Sequence, residues 1–352
     1  MKKLFFIAAI ASAALVSCTK NELAPSVTEQ QEISFSAPVV GVQTKVYGAI
    51  ESTYDTGETF DVWSVYNVND ISTWGGTPYF SDVTAAHDNT ANGWKLATPY
   101  YWPVTGKLSF VALSPSLTNT TTYDATYGFK VTAWNQGANE SAIVDLLYSD
   151  EALNKEKAAY GADGEEKTGD VNSYKGVDIT FKHALSYIVF KVKTTAEYTS
   201  TQFRLNSITL SGIYTTGNFT QKPASPGTNW EVDTTPAKVG TYEAYSGALT
   251  FGSAAVEVPE TDKEEIILLP QALTTGQQKI TVEYEISTDG KELTDDTKEW
   301  ISQTQTVDLK GTVTQWGMGM KYTYTLSIGM QEIIFDPAVS TWTNADGGTI
   351  TF

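Results

Sequence analysis

The sequence predicts an all-β protein, and three observations carry that expectation. Apolar residues alternate with Thr, Ser or Asp at Val177-Asp178-Ile179-Thr180-Phe181 and at Tyr322-Thr323-Tyr324-Thr325-Leu326-Ser327-Ile328. This is the period-two pattern of strands with one buried face. Clusters of Gly, Asn, Asp and Pro separate such runs at spacings that suit a sandwich. No long stretch has the apolar period of a helix; Ser141–Tyr148 holds a short helical turn at most.

At the N-terminus, Lys2 and Lys3 precede an apolar stretch from Leu4 to Val16. That stretch is too short to span a bilayer, which takes ~20 apolar residues, and reads as a removable signal peptide over residues 1–17. It ends in Leu15-Val16-Ser17-Cys18, which resembles the lipobox of bacterial lipoproteins. The resemblance implies that the Cys18 thiol takes a diacylglycerol and that the freed amine takes a third acyl chain. Three chains, each adding about 0.8 kcal/mol per buried methylene, make an anchor that does not dissociate. Residues 18–31 are polar and aperiodic, as expected of a lipidated tether.

Strand runs follow in order at Ile33–Phe35, Phe60–Tyr66, Leu108–Leu113, Ile188–Val192, Ile208–Ile213, Ile266–Leu269, Ile280–Ile286 and Ile333–Phe335. Between Asp150 and Gly176 the chain is Lys, Glu, Asp, Ala and Gly with little to bury, which marks a linker or long surface loop. The expected division is an N-terminal sandwich over 32–152, a linker over 153–176 and a C-terminal sandwich over 177–352. A boundary near Thr194–Ser200, with Ile179–Lys193 closing the first domain, is the alternative.

Composition excludes several functions. Cys18 is the only cysteine, so no disulfide forms within the chain and a substantial apolar core must hold it together. The net charge is −18, and losing Lys2 and Lys3 with the signal makes it −20. Such a charge repels phosphate backbones, so no nucleic acid partner is expected. The only histidines are His87 and His183: the first lies in a polar loop pattern beside Asp88, the second in a strand motif. Neither offers the convergent ligands of a metal site or a hydrolytic triad. Acidic pairs such as Glu264-Glu265 read as solvated faces, and phosphate-loop, dinucleotide and EF-hand patterns are missing. We therefore expect no enzyme, no cofactor and no metal. Trp74, Tyr79, Trp94, Tyr100, Tyr101 and Trp102 are dense enough to stack on a glycan, although β-propensity and core packing alone already explain them.

A series of short motifs then resembles the fimbrillin family, the type V pilins and relatives of Bacteroidales. It runs through Ile33–Phe35, Tyr101-Trp102-Pro103, Gly106–Phe110, Asp145–Tyr148, Phe181–Leu185, Ile208–Gly212, Leu268–Gln271, Lys321–Leu326 and Ile334–Pro337 leading to Val339–Trp342. The resemblance implies two tandem transthyretin- or immunoglobulin-like β-sandwiches. It also implies a fimbrial subunit or surface lipoprotein of the outer membrane that serves adhesion and takes other subunits as partners. In that family a protease removes the first strand, and a strand from the next subunit fills the groove. Here the strand to be replaced carries Ile33 and Phe35. The donor is the C-terminal arm 343–352, where Ile350 and Phe352 alternate with Thr; alternatively they complete their own sandwich. The family's cut usually follows an arginine, but this chain has Thr44-Lys45, so Lys45 is the processing candidate. An uncut chain stays lipid-anchored as a base. A second functional expectation is a monomeric surface lipoprotein binding a glycan or host ligand.

Overall fold

The computed structural model describes residues 31–40, 54–89, 93–117, 121–124, 127–139, 143–157, 176–225, 227–258, 266–311, 313–330 and 333–342. Among these residues every regular element is a strand. The first eleven are β1 (Ser34–Phe35), β2 (Val39–Val40), β3 (Thr59–Asn67), β4 (Thr77–Asp88), β5 (Gly93–Leu96), β6 (Lys107–Ser114), β7 (Thr121–Asp124), β8 (Gly128–Asn135), β9 (Leu147–Ser149), β10 (Ala152–Lys155) and β11 (Thr180–His183). The remainder are β12 (Ser186–Thr194), β13 (Gln202–Tyr214), β14 (Thr216–Thr220), β15 (Trp230–Val232), β16 (Val239–Phe251), β17 (Val256–Glu257), β18 (Ile266–Leu268), β19 (Lys279–Ser287), β20 (Ile301–Asp308), β21 (Met320–Ile328) and β22 (Ile333–Thr341).

They form four sheets. Sheet I runs β1-β5-β4-β3-β6-β9-β11-β2, with β10 beside β6; sheet II runs β17-β12-β21-β22, with β18 beside β12. Sheet III is β16-β13-β19-β20 and sheet IV is β15-β14-β8-β7. Because β1 and β2 are consecutive in the chain and lie at opposite ends of the strand order, sheet I closes on itself. Closure removes the unpaired edges that an open sheet exposes.

The burial pattern follows from this arrangement. In β3, Phe60 and Val62 face the inside of sheet I, while Trp63 and Val65 pack in the larger core outside it. In β6, Leu108, Phe110 and Ala112 point in and Val111 and Leu113 point out. Both faces are covered, so these strands read as continuous apolar runs rather than alternating ones. In β13 the alternation slips twice, because register shifts between Leu205 and Ser207 and between Ser211 and Ile213 each insert a residue. Gly212 sits at the second slip with φ +71°, and a Cβ there would lie 2.1 Å from the Gln277 carbonyl oxygen. Only glycine fits that close an approach.

Sheet IV joins distant parts of the chain: β14 pairs β8 through Thr216↔Asn135, Gly217↔Trp134 and Phe219↔Val131. Trp63 of sheet I stacks on Phe129 with ring centres 5.6 Å apart. The larger core therefore runs from the outer face of sheet I through sheet IV to the space that sheets II and III share. Three buried glutamines stitch these layers. Gln136 Nε2 donates to the carbonyls of Val144 and Ile267, both at 2.8 Å, and its Oε1 accepts from the Trp134 indole at 2.9 Å. Gln221 Nε2 donates to Ser149 O at 2.9 Å, and Gln271 Oε1 accepts from Tyr214 N at 3.0 Å. Each satisfies backbone groups that would otherwise be buried unpaired.

The expected division at 153–176, with a second sandwich opening at 177, needs correction. Val177, Ile179 and Phe181 line the core inside sheet I, and β11 pairs with β9 and β2. Their alternation was read correctly as a strand, but a strand pattern does not say which sheet receives it. Sheet II begins only at β12, so a boundary at Thr194–Ser200 does not describe the pairing either. Ser141–Tyr148 supplies no helix among its described residues, and Tyr148 lies in β9.

Candidate functional site

The residues predicted to be exchanged form the segment that closes sheet I. On one side, Trp102 N donates to Gln31 O at 2.9 Å, Ile33 N donates to Tyr100 O at 2.8 Å, and Ser34 and Phe35 pair with Lys95 and Trp94. On the other, Val177 N donates to Ser34 O at 2.8 Å, Ser36 N to Val177 O at 3.1 Å and Val39 N to Ile179 O at 3.0 Å. The last pairings run parallel, with Val39 opposite Thr180 and Val40 opposite Phe181. A single short segment thus fills both edges of the gap between β5 and β11.

Its side chains sort as the sequence pattern demands. Ile33 and Phe35 are 0% exposed, while Ser34 and Ser36 are half-buried on the other face. The Phe35 ring meets Phe60 and Phe110 edge-on, each with centres 5.7 Å apart. Pro38 ends the alternation, and its carbonyl accepts from Tyr54 N at 3.1 Å. Tyr54 stacks on Phe181, and its hydroxyl donates to Thr59 O at 2.9 Å. Burial pushes that phenol far above its ordinary range, so it stays neutral.

Gly176 guards the far edge. A Cβ on it would lie 2.2 Å from the Phe35 carbonyl carbon and 2.4 Å from Ser36 N. Its backbone also exchanges hydrogen bonds with Ser36 Oγ, at 3.0 and 3.2 Å. Nothing in the glycine-rich 150–176 stretch identified this one as the contact that lets the closing segment sit flush.

At the other end of the chain, β22 pairs with β21 along nine residues and ends beside Trp342. The Trp342 indole lies between two rings: His183, with centres 3.5 Å apart and planes at 25°, and Tyr187, at 5.1 Å and 26°. His183 belongs to β11 of sheet I and Tyr187 to β12 of sheet II, so Trp342 wedges the two sheets together. His183 Nδ1 is 2.7 Å from Asp145 Oδ2, and the Lys321 ammonium lies 5.0 Å from the Tyr187 ring centre. His183 is therefore a packing residue, and so is His87, whose ring stands edge-on to Trp94 at 4.7 Å. No three His, Cys, Asp or Glu side chains converge on a metal position among the described residues.

Cys18, Lys45, Ile350 and Phe352 lie outside the described residues. Of the aromatic residues considered as a glycan platform, Trp74, Trp94 and Trp102 are buried in the cores. Tyr79, Tyr100 and Tyr101 remain half-buried near the start of the closing segment, and Tyr79 Oη donates to Tyr101 O at 2.5 Å. Among the described residues, the closing segment brings together no acid, base and nucleophile.

Known proteins resemble this chain in sequence family and in fold. The fimbrillin-like family model matches residues 44–342. Among solved structures, a fimbrial protein from Bacteroides vulgatus ATCC 8482 is similar over 89% of this chain and 99% of its own length, at 16% identity and a TM-score of 0.58. A fimbrial assembly protein from Parabacteroides distasonis ATCC 8503 matches 89% of this chain and 98% of its own length, at 10% identity and a TM-score of 0.38. No curated protein matches in sequence. At these identities the first of the two solved structures is evidence for the fold alone.

Proposed function

Because this chain belongs to the fimbrillin-like family, we propose that it is a fimbrial subunit of the cell surface, joined to its neighbours by strand exchange. The observation that carries the reading is the closing segment, one short piece of chain that completes both edges of sheet I and seats Ile33 and Phe35. Its removal leaves unpaired main-chain groups on β5 and β11 and an apolar slot. Burying two such side chains contributes roughly 3–6 kcal/mol, and a donated strand satisfies the same groups by β-augmentation. In this proposal Cys18 carries the lipid that brings the chain to the outer membrane, and cleavage after Lys45 frees the segment. The arm 343–352 of the next subunit then supplies Ile350 and Phe352 to the slot. A chain that is not cut keeps its lipid and its own strand, and so donates without accepting.

The sole arginine supports a lysine-directed cut. Arg204 lies within β13, paired on both sides by β16 and β19. Its Nε donates to Glu285 Oε2 at 2.8 Å and its guanidinium sits 4.2 Å from the centre of the Trp300 ring. A protease cannot take such a residue into its cleft without unfolding sheet III.

The mature N-terminus tests the processing step. Protein recovered from assembled fibres is expected to begin at Val46, and protein extracted from membranes at acylated Cys18. Fibres whose subunits all begin at Cys18 would refute strand removal. The donor arm is tested by truncation. A chain lacking residues 343–352 is expected to melt within about 2 °C of the parent and to remain monomeric under conditions where the parent polymerises. Loss of cooperative melting would instead assign Ile350 and Phe352 to their own sandwich.

A further inference from the structure

Sheet I is closed, but among the described residues sheets II, III and IV each end in strands with a free side, and those ends are blunted unequally. Several are very short: β17 has two residues, β15 three and β7 four. The end strand β22 contains Asp336 and Pro337, and proline has no N–H to offer a neighbour. The thirteen-residue β16 pairs with β13 through three register shifts, which twist an edge away from regular pairing. β20 is different. It pairs with β19 over eight residues without a shift and carries no proline or lysine; its one charge is Asp308, at the end. Among the described residues it has no strand on its outer side. A long, regular, weakly charged edge is a template for another strand.

The side chains of β20 indicate which strand. Ile301, Gln303, Gln305 and Val307 lie opposite the core residues Ile286, Tyr284, Val282 and Ile280, so they occupy the core-facing side. Ser302, Thr304 and Thr306 lie opposite Glu285, Glu283 and Thr281 on the polar side. Ile301 is 58% exposed although it faces the core side.

We infer that β20 pairs antiparallel with β20 of a second copy of this chain, about a two-fold axis at Thr304. In that register Ile301 stands opposite Val307, Ser302 opposite Thr306, Gln303 opposite Gln305, and Thr304 opposite itself. Like meets like at every position, and the exposed isoleucine gains an apolar neighbour. A two-fold pairing repeats each contact on both copies, as an isologous interface requires. The next position outward brings Asp308 opposite Trp300, whose ring already has the Arg204 guanidinium at 4.2 Å and the Lys298 ammonium at 5.4 Å. A carboxylate arriving there meets complementary charge. Two copies thus share one eight-stranded sheet and associate side by side, through a surface separate from both the closing segment and the arm 343–352.

The test uses the full chain with Cys18→Ala, so that an introduced thiol is the only one. Thr304→Cys is expected to give a disulfide-linked dimer on mild oxidation, whereas Thr209→Cys, on the polar face of β13 in mid-sheet, gives none. By sedimentation, the chain with Thr304 intact is expected to dimerise with rising concentration. Thr304→Lys sets two ammonium groups against each other across the axis and weakens that dimer on the order of tenfold or more. Deleting residues 343–352 leaves it unchanged, which separates this contact from strand donation. The inference is overturned by a monomer at every concentration, by equal cross-linking through Thr209→Cys, by a dimer insensitive to Thr304→Lys, or by one that disappears with the arm. Circular dichroism on each variant confirms the fold.

Discussion

Phe35→Ala is expected to cost the uncut chain about 3–5 kcal/mol, the range found when a fully buried phenylalanine is truncated in a core. The ring is 0% exposed and meets Phe60 and Phe110 edge-on, so the substitution removes apolar burial and two aromatic contacts. It also acts in the segment that, among the described residues, joins β5 to β11 through β1 and β2, so the vacated volume is bounded by chain held at both edges and cannot easily collapse. Denaturant titration of the full chain measures it. On the proposed processing, protein recovered from fibres begins at Val46 and no longer contains Phe35, and it provides the decisive comparison. If a fibre assembled from Phe35→Ala subunits cut after Lys45 is as stable as one from the parent, the cost belongs to the precursor, as strand exchange requires. A precursor destabilised by less than about 1 kcal/mol would show that the closing segment contributes little.

Trp342→Ala is expected to cost a similar ~3–5 kcal/mol, and for a different reason. The indole is 4% exposed and stacked with two rings, His183 from β11 and Tyr187 from β12. Its loss removes the wedge between sheets I and II, so we expect unfolding to lose cooperativity as well as free energy. Trp342→Phe, which keeps an aromatic ring in the stack, should recover part of both. Together with the truncation of 343–352, this sets a boundary one residue wide: removing the indole is expected to be costly, and removing everything after it nearly free. A melt of Trp342→Ala that superimposes on the parent would contradict that boundary.

Much of the fold was legible because strand patterning is local. The Val177–Phe181 and Tyr322–Ile328 alternations need no knowledge of distant residues, since successive side chains on a strand point to opposite faces. Each of the eight apolar runs named from the sequence overlaps a strand. The strands that escaped were those whose register or polarity hides the pattern. β20, with the sequence ISQTQTVD, is an edge strand without a continuous apolar face, the alternation of β8 is interrupted at Ala133 with its positive φ, and β14 is a five-residue member of a joint sheet.

The candidate site was legible in part for the same reason. Ile33 and Phe35 sit two apart, and burial of both follows from that spacing. Gly176 and Gln136 were not legible. A glycine is marked as necessary only by the backbone that approaches it, and a buried glutamine only by the carbonyls it satisfies. Those partners lie far away in sequence: Gly176 against Phe35, and Gln136 against Ile267.

The sequence by itself determined the strand class, the acidic charge, the lack of intrachain disulfides and the family resemblance, all of which are summed over single residues or short windows. Only the tertiary structure decided which strands share a sheet. It placed 177–183 in sheet I instead of at the head of a second sandwich, closed that sheet with residues 33–40, and set Trp342 between His183 and Tyr187. The physical reason is that an amphipathic strand specifies a buried face but not the neighbour that covers it. Backbone hydrogen bonds are the same for every partner, so the choice falls to side-chain fit between segments that meet only when the chain has folded.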